Sequence, residues 1–196
     1  LDMYPSWSPD GSIIAFHSLR DDDYGIYVMD ASGGNERRLT DDQTAEAWPN
    51  WPSAPSEQAP PPTPEPARIA FSRNQDGKHD IYIMDDDGSN LTRLTTTDTF
   101  EYEFYPAPSP DGSKIAFASY RDRNWEVYVM DIDGSNPTRL THNGAADFPS
   151  TGSWSPDGSQ IAFTSTRDGK QNIYVMNDDG SGQTRLTSGD STESLP

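Results

Sequence analysis

The motif that decides the fold is Tyr-Val-Met-Asp at residues 128–131, because the chain repeats it, with small changes, four times. The other copies occupy residues 27–30, 82–85 and 174–177. In every copy an Ala-Phe pair begins 12 residues before the tyrosine, and an Arg-Leu-Thr triplet begins 11 residues after it. This constant spacing indicates a structural repeat, and periods of about 20–50 residues are typical of solenoids, propellers and other arrays.

Each repeat has the pattern of four short antiparallel strands joined by tight turns. The first repeat contains apolar runs at residues 13–16 and 26–29 and a short last strand centred on Leu39. Pro-Asp-Gly at 9–11 and Asp-Gly at 133–134 are strong turn signals between such runs. No stretch of useful length has helical periodicity. The sequence therefore predicts an all-β protein.

The third strand of each repeat carries consecutive apolar residues, as in Ile-Tyr-Val-Met at 26–29. Successive side chains of a strand point to opposite faces, so both faces of this strand must be covered. A lone four-stranded sheet cannot cover both, but blades arranged around an axis cover each other's faces. We therefore predict a β-propeller of four blades, each with four antiparallel strands.

The four repeats predict one propeller domain over residues 1–196, with one irregular repeat. A proline-rich insertion at 52–66 interrupts the second repeat, and residues 49–66 hold 8 of the 17 prolines. Proline cannot donate to a sheet ladder, so we interpret the insertion as an exposed loop in place of a hairpin rather than as a ligand for aromatic grooves. The approximate repeat boundaries are 1–45, 46–100, 101–145 and 146–196.

The repeat is similar to a known one. Residues 4–11, Tyr-Pro-Ser-Trp-Ser-Pro-Asp-Gly, are followed by Ile-Ala-Phe at 14–16, Ile-Tyr-Val-Met-Asp at 26–30 and Arg-Leu-Thr at 38–40. This order resembles the TolB-type (WD40-like) β-propeller repeat, and the resemblance recurs over nearly the whole chain. Departures from the pattern occur at the insertion 52–66, at Pro108 and at Gln75.

The resemblance implies a fold more strongly than a function, because widely shared folds host many activities. Propellers of this family usually have six or more blades. The family includes the periplasmic TolB protein, propeller domains of prolyl-oligopeptidase-like peptidases, and many secreted or periplasmic proteins. It therefore implies a bacterial periplasmic or extracellular location.

Four repeats can close as a small ring or form part of a larger one. A repeat start lies at both ends of the chain, at Asp2 and Glu193, and the chain starts at Leu1 rather than Met. These features favour a processed chain or a piece of a larger ring. An open array would leave its terminal blade faces bare, which predicts self-association through those ends.

Charge and composition narrow the range of partners. The chain has 14 basic and 32 acidic residues and a net charge of −18, which repels nucleic acid and favours cations, basic peptides and basic protein surfaces. The same charge also serves solubility without any partner. The absence of cysteine excludes disulfides and thiolate metal sites. No apolar run approaches the roughly 20 residues that span a bilayer.

The first candidate site is a set of carboxylates that shortly precede the proline opening each blade. In TolB-like propellers this first strand lines the central channel, so the resemblance implies that the carboxylates converge there. Converging carboxylates repel each other unless a cation joins them, and oxygen ligands suit Ca²⁺ or Mg²⁺. The alternatives are hydrogen bonds to backbone or pairing with arginines. The members are Asp2, Glu46, Glu103, Asp147 and Glu193.

The second candidate site is a set of aromatic residues placed directly before the same prolines. They either line the channel, where they could stack on sugars or peptide side chains, or pack between blades. They are Tyr4, Trp48, Tyr105 and Phe148.

Two other patterns favour structural roles. The Asp-x-Asp-Gly sequence at 131–134 is similar to the start of a calcium loop, but its glycine comes too early for an EF-hand, so we predict a hairpin turn. Arginines at fixed repeat positions predict structural pairing with acidic residues. They are Arg20, Arg38, Arg93, Arg121, Arg139, Arg167 and Arg185.

Signals for catalysis are weak. The histidines, His17, His79 and His142, fall at non-equivalent repeat positions, and no Gly-x-Ser-x-Gly elbow occurs. We therefore favour a non-catalytic binding module that meets a protein, small molecule or glycan at an acidic channel. The alternatives are a carbohydrate-active hydrolase or lyase using channel carboxylates, the propeller domain of a peptidase, and a self-associating structural unit.

Overall fold

A computed structural model describes residues 2–8, 10, 12–20, 23–40, 46–51, 67–75, 77–96 and 102–187. Within these ranges the chain forms sixteen β-strands and no helix. The first blade contains β1 (Asp2–Trp7), β2 (Ile13–Arg20), β3 (Asp23–Asp30) and β4 (Arg37–Arg38). The second contains β5 (Glu46–Asn50), β6 (Arg68–Gln75), β7 (Lys78–Asp85) and β8 (Thr92–Arg93). The third contains β9 (Glu103–Pro108), β10 (Lys114–Ser119), β11 (Glu126–Asp131) and β12 (Thr138–Arg139). The fourth contains β13 (Asp147–Trp154), β14 (Gln160–Ser165), β15 (Asn172–Asn177) and β16 (Thr184–Arg185).

Each blade is a four-stranded antiparallel sheet whose strands pair in chain order, as the repeat predicts. The first strands of consecutive blades are neighbours: β1 lies beside β5, β5 beside β9, and β9 beside β13. We call the side on which these four strands gather the inner face. The described strands of the first and fourth blades have no equivalent packing contact, so a closed four-bladed ring is not shown.

The third strands of the two middle blades, β7 and β11, are covered on both faces, as the argument from consecutive apolar residues predicts. In β7, Tyr82 and Met84 pack with Ile26 of the first blade. The intervening Ile81 packs instead with residues of the third blade, such as Phe117. The hydrophobic core is therefore a series of seams between blades. Burial of each large side chain there contributes about 1.5–3 kcal/mol to folding.

The fourth strand of each blade ends earlier than the sequence suggests. In the first blade β4 covers Arg37–Arg38, and Leu39 lies just beyond it. The Leu39 amide still donates to the carbonyl of Ile26 at 2.8 Å, and the Leu140 amide makes the same bond to Val127. The leucine therefore leaves the ladder after one further hydrogen bond, and its side chain packs into the seam with the next blade.

The Asp-x-Asp-Gly sequence forms the predicted hairpin turn. The Gly134 amide donates to the Asp131 carbonyl at 2.9 Å, and the Ser135 amide donates to Asp133 Oδ1 at 2.9 Å. Asn136 Nδ2 donates to Asp131 Oδ2 at 2.7 Å, so both carboxylates serve the turn. The proline-rich insertion at 52–66 lies outside the described residues. In the described part of the chain, no helix has the length and apolarity required to cross a membrane.

Candidate functional site

The inner strands share an irregularity where an aromatic residue precedes a proline. Tyr4, Trp48 and Tyr105 have φ angles of 53°, 56° and 54°, in the left-handed region that bulky residues rarely adopt. The strand registers of β1, β5 and β9 shift at this point, which marks a β-bulge. The following proline has no amide hydrogen, so interrupting the ladder there sacrifices no backbone donor.

The bulges bring together four aromatic residues that the sequence singles out. The ring centroids of Tyr4 and Trp48 are 6.1 Å apart, those of Trp48 and Tyr105 are 4.9 Å apart, and those of Tyr105 and Phe148 are 6.1 Å apart. We call these four residues the aromatic row. Each blade contributes one ring, Tyr4 is exposed, and the other three are half-buried. The row is therefore a continuous, partly accessible apolar surface across the inner face.

Phe148 joins the row without the left-handed backbone that its counterparts share. Two residues separate the acidic residue from the proline in the first three blades, but only Phe148 separates Asp147 from Pro149. In this blade the irregularity lies after the proline, because the register of β13 with β14 shifts between Pro149 and Trp154. The fourth blade therefore presents its ring through a different local geometry.

A second layer of rings flanks the aromatic row, and the spacing of the repeats does not predict it. Phe104 lies 5.0 Å from Trp48 and 5.3 Å from Trp125 between ring centroids, and Trp125 lies 5.4 Å from Phe148. His79 lies 4.7 Å from Phe104, and His17 lies 5.0 Å from Tyr4. Because these residues do not recur in all four repeats, spacing alone gives no signal for them.

Several nitrogen atoms near the row lack a hydrogen-bond partner among the described residues. They are buried atoms of His17, His79 and Trp48, namely both ring nitrogens of His17, Nδ1 of His79 and Nε1 of Trp48. Burial lowers the pKa of His17 and of His79, the latter against an opposing effect of Asp80, so both imidazoles favour the neutral form. Buried polar atoms of native proteins usually have a partner, which makes these atoms available for hydrogen bonds to a ligand or water.

The candidate carboxylates of the third and fourth blades are buried and paired with arginines of their own blade. Arg121 Nη2 lies 2.7 Å from Glu103 Oε1, which also accepts from Ser119 Oγ at 2.9 Å. Arg167 Nη2 lies 3.1 Å from Asp147 Oδ2. For these two carboxylates the structure therefore shows pairing with arginine, which the sequence analysis gave as an alternative to a shared cation. In the described ranges, no three histidine or acidic residues form a group that could hold a metal ion.

The other three candidate carboxylates lack a described side chain. Asp2 and Glu46 begin β1 and β5, so their backbones occupy the same strand position as Glu103 and Asp147. Glu193 lies outside the described residues altogether. The predicted carboxylate ring and its cation therefore stay predictions.

Burial has a marked effect on Glu103. Desolvation raises the pKa of its carboxyl group to about 7, and the nearby Arg121 and the hydrogen bond from Ser119 oppose this rise. Its Oε2 atom has no partner among the described residues. A buried carboxyl group with one free oxygen can hold or release a proton near neutral pH.

The predicted structural role of the arginines is confirmed where their side chains are described with acidic partners. Arg93 pairs with Asp80 at 2.6 Å and Arg139 with Glu126 at 2.6 Å, both on the third strand of the same blade. Arg185 meets Asp168 at 3.1 Å, as Arg139 meets Asp122 at 3.1 Å. At the third-strand position of the fourth blade, Arg185 donates to the neutral Asn172 at 2.7 Å. These arginines fasten strands within a blade and are not available as a ligand-binding set.

One described cleft lies at the seam of the third and fourth blades rather than at the inner face. It has a volume of about 350 Å³ and is lined by Asp111, Asp157, Asp178 and Lys114, among others. Asp111 and Asp157 accept hydrogen bonds from serines of their own turns, at 2.6 Å from Ser109 and Ser155 respectively. Lys114 lies 3.2 Å from Asp178. These groups already satisfy one another, so the aromatic row is the stronger candidate site.

Comparison with known proteins agrees with the repeat. Residues 98–196 match the family model described as the TolB beta propeller domain. A protein of Agrobacterium fabrum strain C58 with the name uncharacterized protein Atu1656 is 32% identical over 89 residues, which is 45% of this chain and 27% of that protein.

Solved structures give the same result. A structure described as TolB from Agrobacterium tumefaciens superposes with a TM-score of 0.74 and 26% identity, covering 92% of this chain and 63% of that one. TolB from Acinetobacter baumannii gives 0.74 and 24%, covering 98% and 45%. An oligogalacturonate lyase in complex with manganese gives 0.69 and 16%, covering 97% and 54%, and its likeness shows the fold alone. The chain thus spans less than two thirds of the length of each of these relatives.

Proposed function

Because the chain belongs to the TolB β-propeller domain family, we propose that it is a non-catalytic binding module that holds an extended, basic polypeptide segment against the aromatic row. The observation that carries this proposal is the row itself, in which Tyr4, Trp48, Tyr105 and Phe148 present neighbouring rings across four blades. A location in the bacterial periplasm or outside the cell is part of the same proposal.

The chemistry of the row suits lysine and arginine side chains. A cation over the face of a tryptophan or tyrosine gains about 0.5–2 kcal/mol, and the gain rises as the site loses water. Trp48, Tyr105 and Phe148 are half-buried, so a ligand would displace water from rings that are already partly dry. The unpartnered nitrogens of Trp48 and His17 add groups that a peptide backbone can satisfy.

The net charge of the protein favours the same class of ligand. A charge of −18 attracts basic segments over distances longer than a contact and increases their association rate, especially at low salt. A neutral glycan could stack on the rings, but the negative charge of the protein would not attract it. The charge therefore supports a basic peptide over a glycan, and it opposes nucleic acid.

We expect Trp48→Ala to weaken the binding of octalysine about tenfold, since a lost cation–π contact of about 1–2 kcal/mol corresponds to that ratio. Isothermal titration calorimetry at about 150 mM salt measures the affinity, and this salt screens exposed charges beyond about 8 Å. Octaglutamate and the neutral saccharide maltohexaose serve as ligands of the wrong charge and the wrong class.

Trp7→Ala is the matched control, because Trp7 is an exposed tryptophan outside the aromatic row. It should leave the affinity for octalysine unchanged. Equal affinities of the wild type and Trp48→Ala would show that octalysine binds only through general charge attraction and would contradict the proposal. Preferential binding of maltohexaose would replace the peptide by a glycan as the ligand class.

Calcium in the channel is a separate proposal that rests on the repeated acidic residue at the start of each inner strand. The side chains that would decide it, those of Asp2, Glu46 and Glu193, are not described. We expect CaCl₂ to raise the melting temperature by a few degrees relative to EDTA, as mass action predicts for a ligand of the folded state. Identical melting curves in CaCl₂ and EDTA would count against a bound calcium ion.

A further inference from the structure

Two of the seams between blades hold an arginine in the same way. We number the seams first, second and third in chain order. Arg121 at the second seam and Arg167 at the third donate through Nε to the serine two residues earlier, at 2.9 and 2.8 Å. Their Nη2 atoms donate to Glu103 and Asp147, and each guanidinium carbon lies 4.6 Å from the centroid of a third-strand tyrosine ring. The Nη1 atom of each arginine is left for a further contact.

At the third seam, the side chain of Gln183 supplies that contact. Arg167 Nη1 donates to Gln183 Oε1 at 2.7 Å. The amide nitrogen of Gln183 donates in turn to the backbone carbonyls of Leu140 and Gly180, both at 3.1 Å. A primary carboxamide is therefore held by one charged donor and two backbone acceptors, which engage both its oxygen and its nitrogen.

The second seam has the same three groups, but Pro137 stands at the position of the glutamine. Pro137 and Gln183 both come two residues before the last-strand arginine of their blades. Within the described part of the chain, Arg121 Nη1 has no acceptor, and the carbonyls of Leu94 and Gly134 have no donor. These residues and Pro137 line a cleft of about 370 Å³, which is within the size range of small-molecule sites.

The backbone of the second seam matches that of the third. A Cβ atom on the turn glycine would lie 2.7 Å from the leucine carbonyl oxygen at the second seam and 2.9 Å from it at the third. The residues directly before Pro137 and Gln183 both have left-handed backbones, with φ angles of 53° and 67°. The two carbonyls of the second seam are thus presented as they are where they bind the glutamine amide.

The first seam differs from both, because it lacks the arginine as well as the amide. Gln75 stands at the arginine position, and its Oε1 atom accepts from Tyr82 Oη at 2.9 Å. Leu91 stands at the position of Gln183. Among the seams that the structure describes, the second therefore combines the charged donor with the absence of an amide from the chain itself.

We propose that the cleft at the second seam binds a primary carboxamide, in the place that the side chain of Gln183 takes at the third seam. The carbonyl oxygen of the ligand accepts from Arg121 Nη1, and its NH₂ group donates to the carbonyls of Leu94 and Gly134. A carboxylate would face these two carbonyl oxygens and Asp122, which also lines the cleft, and an ammonium group would face the guanidinium. The aromatic row takes no part, so the inference does not depend on the proposed peptide-binding function.

A titration of the whole chain with propionamide, followed by ¹H–¹⁵N NMR, tests the proposal. The backbone amides of Thr95 and Ser135 share a peptide group with the two carbonyls, so their signals should shift and saturate. A dissociation constant in the millimolar range is expected for a ligand of about five heavy atoms. Propionate and propylamine have the same size but carry a charge, and they should bind about tenfold more weakly or worse. Equal binding of either ion, or no saturation by about 100 mM propionamide, would overturn the proposal.

Pro137→Gln should weaken the binding of propionamide about tenfold or more, because the new side chain can engage the three groups itself. Leu91→Gln is the matched control, since it introduces the same side chain at the equivalent position of the second blade, where the arginine is replaced by Gln75. It should bind propionamide like the wild type. Unchanged binding by Pro137→Gln would show that the ligand does not use these groups.

Gln183→Ala gives a test that does not require Pro137→Gln to fold. Removal of the glutamine amide should create a second site at the third seam, so propionamide should now also shift the amide signals of Thr141 and Ser181. If these signals did not respond, the three groups would not suffice to hold a carboxamide, and the proposal would fail.

A second ligand distinguishes the possible sources of the carboxamide. N-acetylglutamine N-methylamide presents the same group on a peptide-like backbone. Tighter binding of this compound than of propionamide would identify the natural ligand as a glutamine side chain of a peptide. Equal or weaker binding would identify it as a small-molecule amide.

Discussion

Gly134→Ala is expected to lower the free energy of unfolding by about 3 kcal/mol, the sum of a left-handed backbone and a steric clash. The φ angle of Gly134 is 86°, a conformation that costs alanine about 1 kcal/mol or more. A Cβ atom at this position would also lie 2.7 Å from the carbonyl oxygen of Leu94. That oxygen belongs to the backbone of the neighbouring blade, so neither side can move without opening the seam.

Gly169→Ala separates the two contributions. Gly169 has a similar φ angle of 82°, but a Cβ atom there would meet nothing within 4 Å. Its alanine variant should therefore lose only the backbone contribution of about 1 kcal/mol. Urea denaturation measures both losses as shifts in the midpoint at constant slope. Equal losses of unfolding free energy for the two variants would contradict this prediction. They would mean that the two blades move apart at no cost when a Cβ atom is added at Gly134.

The close contact of the turn glycines also explains why the repeat can be recognised in the sequence. Turn glycines such as Gly88, Gly134 and Gly180 recur because the same backbone geometry and the same contact with a leucine carbonyl recur. Consecutive apolar residues in β7 and β11 likewise follow from burial between two neighbouring blades. A structural constraint that acts once in every blade produces a residue pattern with the period of the repeat. Such a pattern can be recognised from the sequence alone.

The candidate site was only partly accessible to the same reasoning. The sequence singles out the members of the aromatic row because they precede the repeated prolines, but it leaves open whether they line the channel or pack between blades. The repeat pattern does not predict Phe104 and Trp125, which contact the row, because these residues occur in one blade only and do not recur. The left-handed backbone of Trp48 was also hidden, since a residue before proline gives no local signal for that conformation.

The carboxylates show a different limit of sequence reasoning. The position of Glu103 before the blade-opening proline was clear, but its neighbours were not. The partner that faces it, Arg121, lies after the second strand of the same blade, and the choice between a convergent ring and an internal pair depends on side-chain direction. Spacing gives the strand and the residue type, whereas coordinates give the side-chain contacts and the burial.

Glu103→Gln is expected to be more stable than the wild type at pH 8 and about equally stable at pH 5. Burial raises the pKa of Glu103 from 4.5 to about 7 in the folded protein, and this outweighs the opposing effects of Arg121 and Ser119. Between these values the folded state binds more protons than the unfolded state, so stability falls as pH rises through this window. The loss for the wild type is on the order of 2–3 kcal/mol, and a neutral glutamine avoids it.

Urea midpoints of the two proteins from pH 4.5 to pH 8.5 measure this difference directly. Asp157→Asn provides a control of opposite sign, because hydrogen bonds from Ser155 and Ser159 lower the pKa of Asp157 to about 2. That variant should be less stable than the wild type by a nearly constant amount from pH 4.5 to pH 8.5, because the pH window in which Asp157 titrates lies below this range. A Glu103→Gln variant less stable than the wild type at pH 8 would show that the ion pair with Arg121 outweighs desolvation. The buried carboxylate would then be a net stabilising charge.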